Sequence, residues 1–151
     1  MEIERKFLIE SLDQVPDGIN KYDFHEMEQG YLSTNPVVRV RKEDDTYYLT
    51  YKGKGMLSRE EYNLPLTKES YEHLVKKSDG IIIKKRRYLI PLEHQLVCEL
   101  DVFHGDYEGL LLAEVEFSSE EEANAFLPPE WFGKDVTFDP AYHNSNMASK
   151  N

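Results

Sequence analysis

From its second residue onward this chain repeatedly sets two charges of one sign two positions apart. Glu2 and Glu4 flank Ile3, Arg39 and Arg41 flank Val40, Glu99 and Asp101 flank Leu100, and Glu114 and Glu116 flank Val115. Lys85 and Arg87 follow the run Ile81-Ile82-Ile83. A spacing of two is the period of a β-strand, so each pair projects from one face and its apolar neighbours from the other. A solubilising surface usually mixes signs, whereas these faces are sorted, some acidic and some basic. Like charges at i and i+2 lie roughly 7 Å apart and repel unless opposite charge lies between or across from them. The pattern predicts that the charged faces converge on one interior that is polar rather than apolar.

Strand signals fall at residues 2–9, 26–33, 37–42, 46–53, 58–66, 81–90, 95–103 and 110–117. Gly30 is a candidate bulge, and Glu43-Asp44-Asp45 a hairpin turn. Thr67 predicts an N-cap for a helix to about Lys77, ending before Asp79-Gly80, and Ser118 or Ser119 one for a helix over 120–127 stopped by Pro128-Pro129. Asp139-Pro140 opens a last helix over about 141–149. No βαβ alternation occurs, so the sheet should be antiparallel, and eight antiparallel strands suffice to close a barrel. The expected class is α+β: an eight-stranded antiparallel closed barrel with peripheral helices, as one domain over 1–151.

Net charge is −11, which disfavours general affinity for nucleic acid or an anionic membrane, although a basic cavity can sit inside an acidic shell. Cys98 is the only cysteine, so no internal disulfide forms and a reducing compartment fits. The chain shows no signal peptide and no long apolar run, which sets the expectation of a cytoplasmic protein without membrane contact.

Basic pairs suit a polyanion, because guanidinium forks match phosphate oxygens and lysine supplies a point charge. Acidic pairs without a His or Cys cluster suit a hard divalent cation, Mg²⁺ or Mn²⁺, rather than Zn²⁺. Both in one cavity are the parts needed for phosphoryl transfer. No nucleophile constellation is evident, so direct attack by water is expected, oriented by Glu114 or Glu116. Lys85 is a second candidate base if neighbouring cations lower its pKa, with Tyr31, on a face with Met27 and Gln29, assisting it. The five histidines are scattered, and His143 is the one placed near a candidate site.

Taken in order, Glu2-x-Glu4-x-Lys6, Arg39-x-Arg41, Lys52, Arg59-x-Glu61, Lys85-x-Arg87-Tyr88, Glu99-x-Asp101 and Glu114-x-Glu116-Phe117 resemble the CYTH, or triphosphate tunnel metalloenzyme, superfamily. The resemblance implies a barrel forming a tunnel that binds a small-molecule triphosphate with divalent metal. It implies phosphate contacts from Lys6, Arg39, Arg41, Lys52, Arg59, Lys85 and Arg87. Metal would be held or oriented by Glu2, Glu4, Glu114 and Glu116, with Glu61 and Asp101 in support. Residues 137–145 resemble the family's C-terminal plug helix, and Asn63 stands where some relatives carry another acid. Hydrolysis of inorganic tripolyphosphate is the leading expectation. Thiamine triphosphatase, class IV-type adenylate cyclase and a non-catalytic polyphosphate-binding module are the alternatives, in a monomer or homodimer.

Overall fold

A computed structural model describes residues 1–149; the expected domain end at 151 lies outside the described residues. Nine antiparallel strands form one sheet in the order β5-β1-β9-β8-β7-β2-β3-β4-β6. The strands are β1 (Glu2–Leu8), β2 (Phe24–Thr34), β3 (Val37–Glu43), β4 (Thr46–Lys52), β5 (Ser58–Arg59), β6 (Glu61–Pro65), β7 (Asp79–Pro91), β8 (Val97–His104) and β9 (Leu111–Glu116). The expected strand 58–66 is split at Glu60, which accounts for nine strands where eight were expected. Its two halves nearly close the barrel: β5 pairs Arg59 with Glu2 on β1, and β6 pairs Glu61 with Lys52 on β4. Gly55 makes the turn into β5 possible. Its φ is +123°, and a Cβ there would stand 2.2 Å from the Ser58 carbonyl oxygen.

The alternation legible in the sequence sorts the two faces of the wall. Glu2, Glu4 and Lys6 face the lumen, while Ile3 and Phe7 are buried on the outside. The main apolar core therefore lies outside the barrel, where Ile90, Leu100, Val115 and Phe117 pack with Ala123, Phe126 and Phe132. Ala123 belongs to α2 (Glu120–Ala125), capped by Ser119, whose hydroxyl accepts from the Glu122 amide at 3.0 Å. Arg5 is the charged exception on this face. It donates to the carbonyls of Ala123 and Phe126 at 3.0 Å each, at the C-terminal end of α2, and pairs with Asp135 at 2.8 Å. On the opposite wall α1 (Lys68–Val75) is held by a capping box between Thr67 and Ser70 and packs Tyr71 against Tyr47.

A second core fills the lumen at one end. Val37, Ile83, Phe103 and Leu112 lie on the same strand faces as the charges and pack against Met147 and Ala148 of α3 (Asn144–Ala148). The final helix is shorter than expected. A 3₁₀ turn at Pro140–Tyr142 and α3 are separated by His143, which is extended at φ −84° and ψ 129°. Gly80 is part of β7 rather than a helix stop; its φ is +68°, and a Cβ would meet the Ala148 carbonyl oxygen at 2.0 Å. That close approach seats α3 on the barrel.

The outer core carries the stability of the wall. Phe7 is 1% exposed, with its ring 5.0 Å from that of Phe132. Phe7→Ala should cost about 3–5 kcal/mol, read as a lower urea midpoint with an unchanged m-value.

Candidate active site

The lumen holds a cavity of about 340 Å³ whose wall is charged on nearly every strand. All the expected site residues except Asp101 line it: Glu2, Glu4 and Lys6 from β1, Tyr31 from β2, Arg39 and Arg41 from β3, Lys52 from β4, Arg59 from β5, Glu61 from β6, Lys85 and Arg87 from β7, and Glu114 and Glu116 from β9. A second depression of about 870 Å³ lies against Leu92, Leu96, Phe126 and Leu127, mostly apolar and without converging charges.

Part of the charge is settled internally. Lys52 Nζ lies 3.1 Å from Glu2 and 3.5 Å from Glu61, and Lys6 Nζ lies 3.6 Å from Glu114. Asp101 accepts from Arg87 in a fork at 2.7 and 2.9 Å and pairs with Lys85 at 2.8 Å, at 0% exposure. Its oxygens are engaged by two cations behind the cavity wall, so it fixes the positions of Lys85 and Arg87. Glu99, one pleat away, reaches the cavity in its place.

The remainder is unbalanced. Among the described residues Arg39, Arg41 and Arg59 have no carboxylate within ion-pair distance. Arg39 donates only to Thr50 Oγ1 at 3.1 Å, and its buried Nε has no partner. Arg41 donates to Gln29 Oε1 at 2.8 Å, and burial beside Arg39 and Arg87 lowers its pKa. On the acidic side, burial and the neighbouring Glu114 push the Glu4 carboxyl up to about 8. Glu116, exposed at the mouth, is raised by partial burial and by Glu99 and Glu61. Burial opposes ionisation of Glu114 as well, yet Lys6, Arg87 and Lys85 overcome it and hold that carboxyl well below its usual range. Burial draws Lys85 down to about 7, opposed by Asp101 and reinforced by Arg87 and Arg41. His143 is lowered by burial and by Lys6, and its Nε2 faces the Thr137 carbonyl at 3.1 Å.

Sequence reasoning assigned no site role to several lining residues. Glu43, Tyr48 and Asn63 join the wall, and Asn144 and Ser145 enter from the plug segment. Asn63 and Tyr48 carry a usable signal, since they share strand faces with Glu61 and with Thr50 and Lys52. Asn144 carries none from periodicity.

No three His, Cys, Asp or Glu side chains are already gathered into a metal-holding group among the described residues. The donor chemistry nevertheless suits a hard cation. The lining acids are all oxygen donors, and burial beside Glu114 holds Glu4 partly neutral.

The nearly closed barrel with its charged lumen defines a protein of the tunnel fold. Over residues 1–135 the sequence matches the CYTH domain, and the chain belongs to that family. It is 41% identical to an inorganic triphosphatase of Nitrosomonas europaea, over 97% of this chain and 96% of that one. It is 36% identical to an inorganic triphosphatase of Acetivibrio thermocellus, over 97% and 92%. A crystal structure of an inorganic triphosphatase superposes with a TM-score of 0.73 at 37% identity, covering 100% of this chain and 96% of that one.

Glu4 gives a signed pH test. Its carboxyl has a folded pKa near 8 against an ordinary 4.5, so ionisation is penalised in the folded state only. Well below 4.5 the group is neutral in both states and costs nothing; above about 8 it is ionised in both and the whole penalty stands. Glu4→Gln should therefore raise the Tm of chelator-treated protein little at pH 5 and more at pH 9. An equal shift at both pH values would contradict the assignment.

Proposed function

We propose that this protein is a divalent-metal-dependent inorganic triphosphatase that cleaves tripolyphosphate into pyrophosphate and orthophosphate. One observation carries the reading: three arginines without carboxylate partners among the described residues face the same 340 Å³ lumen as Glu4, whose carboxyl is raised to about 8 by burial and Glu114, and Glu116, which has no ion pair among the described residues. A phosphate chain answers the first deficit and a hard cation the second. The full-length relatives named inorganic triphosphatase support it. The whole chain acts as one catalytic domain, since His143, Asn144 and Ser145, beyond the family match, complete the cavity.

Arg39, Arg41 and Arg59 grip phosphate oxygens, and Lys6, Lys52, Lys85 and Arg87 neutralise the rest of the chain and the charge growing on the leaving oxygen. Glu2, Glu4, Glu61, Glu114 and Glu116 would hold the cation, Mg²⁺ or Mn²⁺. When bound it supplies charge neutralisation and a lower pKa for water. Absence of a closed carboxylate cage fits such ions, which commonly take one or two carboxylates and leave other positions to water and substrate phosphates. Glu116 orients the attacking water and accepts its proton. It is free of ion pairs among the described residues, and its raised pKa suits a base better than the depressed one of Glu114. The water oxygen bonds to the terminal phosphorus as the bond to the bridging oxygen breaks.

Phosphate release should be fastest with tripolyphosphate, against ATP and thiamine triphosphate, and should need Mg²⁺ or Mn²⁺. Faster turnover of another triphosphate, or cyclic AMP from ATP, would overturn the choice. Arg41→Ala, removing charge-assisted hydrogen bonds worth about 1.5–3 kcal/mol, should lower kcat/KM roughly 10- to 150-fold, mainly through KM. Glu116→Gln should instead lower kcat with the fold intact.

A further inference from the structure

Beneath the cavity floor lies a chain of side chains whose hydrogen-bond polarity is fixed at one end. Arg41 Nε–H can only donate, so the Gln29 atom 2.8 Å away is the amide oxygen. The Gln29 NH₂ then faces the Tyr31 hydroxyl oxygen at 3.1 Å and Asn144 Oδ1 at 3.4 Å. Tyr31 accepts this bond, which leaves its single O–H unspent. Asn144 Oδ1 also receives Lys85 Nζ at 3.2 Å. Both neighbours of that oxygen are donors, so the Asn144 NH₂ is turned the other way and has no partner among the described residues. Tyr31 and Asn144 both line the cavity, whereas Gln29 is 0% exposed and does not.

We infer that Gln29 is a positioning residue that relays the donor polarity of Arg41, so that the Tyr31 hydroxyl and the Asn144 amide both present hydrogen-bond donors to substrate phosphate oxygens. Asn144 thereby becomes a substrate-binding residue contributed by the plug segment, and Tyr31 a donor rather than a proton acceptor. The inference rests on the triphosphate reading of the lumen and adds to it how the neutral groups there are oriented. A phosphate chain rich in acceptors satisfies both donors. The orientation costs no rearrangement on binding, because Gln29 is locked between β2, β3 and α3.

Gln29→Glu tests the relay with almost no change in shape. The carboxylate it introduces still accepts from Arg41, but the second oxygen now takes the Tyr31 proton and repels Asn144 Oδ1, reversing both donors. On tripolyphosphate this variant should lose at least tenfold in kcat/KM while its Tm stays at or above that of the parent. In a Tyr31→Phe/Asn144→Ala background the same substitution should cost less than threefold, since no donors remain to reverse. A mere effect of added negative charge would cost the same in both backgrounds, and that result, or full activity of Gln29→Glu, would overturn the inference. If Gln29→Glu does not fold, Gln29→Met enters the same cycle with the same background dependence expected. Calorimetric tripolyphosphate affinity, measured on every variant, reads the relay without turnover. A parent that binds but does not hydrolyse thus defeats the triphosphatase reading, while loss of the background dependence defeats the relay.

Discussion

Everything in this barrel turns on the cost of keeping charges of one sign side by side out of bulk water. A buried charge left unpaired costs several kcal/mol. The wall meets this cost in two ways. Lys52, Lys6, Lys85 and Arg87 are matched to acids on other strands at 2.7–3.6 Å. Arg39, Arg41 and Arg59 are matched to none among the described residues and depend on hydroxyl, amide and carbonyl acceptors. The paired set gives the lumen its shape, and the unpaired set gives it its demand for an anion.

A charged lumen obliges the fold to put its apolar core elsewhere. The larger core moves outside the wall, under α2 and the segment that follows it, and Arg5 ties that cover down through the α2 C-terminal carbonyls. The smaller core stays inside but at one end, where Phe103, Leu112 and Ile83 meet Met147 and Ala148. Along β8 the inward residues read Glu99, Asp101, Phe103, and along β9 Leu112, Glu114, Glu116. Each strand therefore changes from charged to apolar along its inner face, and the plug sits where the change occurs.

Much of this is readable from the chain because its period is two. Strand faces, the inward aim of the charges and the helix caps at Thr67 and Ser119 follow from local chemistry. The split at Glu60 does not follow, because it depends on β5 and β6 seeking different partners across the barrel. The depth of each acid within the wall is also invisible at that period. Glu99 and Asp101 are equivalent in sequence, yet Asp101 lies behind the floor, gripped by Lys85 and Arg87, while Glu99 is partly open to the cavity. The apolar residues at the inner ends of the strands were legible as hydrophobic, but their role as a seat for α3 depends on where residues 144–148 return in space. Gln29 and Asn144 are 115 positions apart, a pairing only the closed fold creates.

The division of labour among the acids explains why so many carboxylates fail to form a metal cage. Glu114 is drawn toward Lys6, Arg87 and Lys85, Glu2 toward Lys52, and Asp101 behind the floor, so no three acids converge on one point among the described residues. A cation entering alone would have to compete with these lysines, and a phosphate chain entering alone would meet Glu116, which has no ion pair among the described residues. On the triphosphatase reading each ligand relieves the repulsion facing the other, so each should raise the other's affinity by the same factor. On that reading the barrel would favour the joint occupant over either part, a selectivity that would arise from three unpaired arginines and an unpaired Glu116 sharing one wall among the described residues.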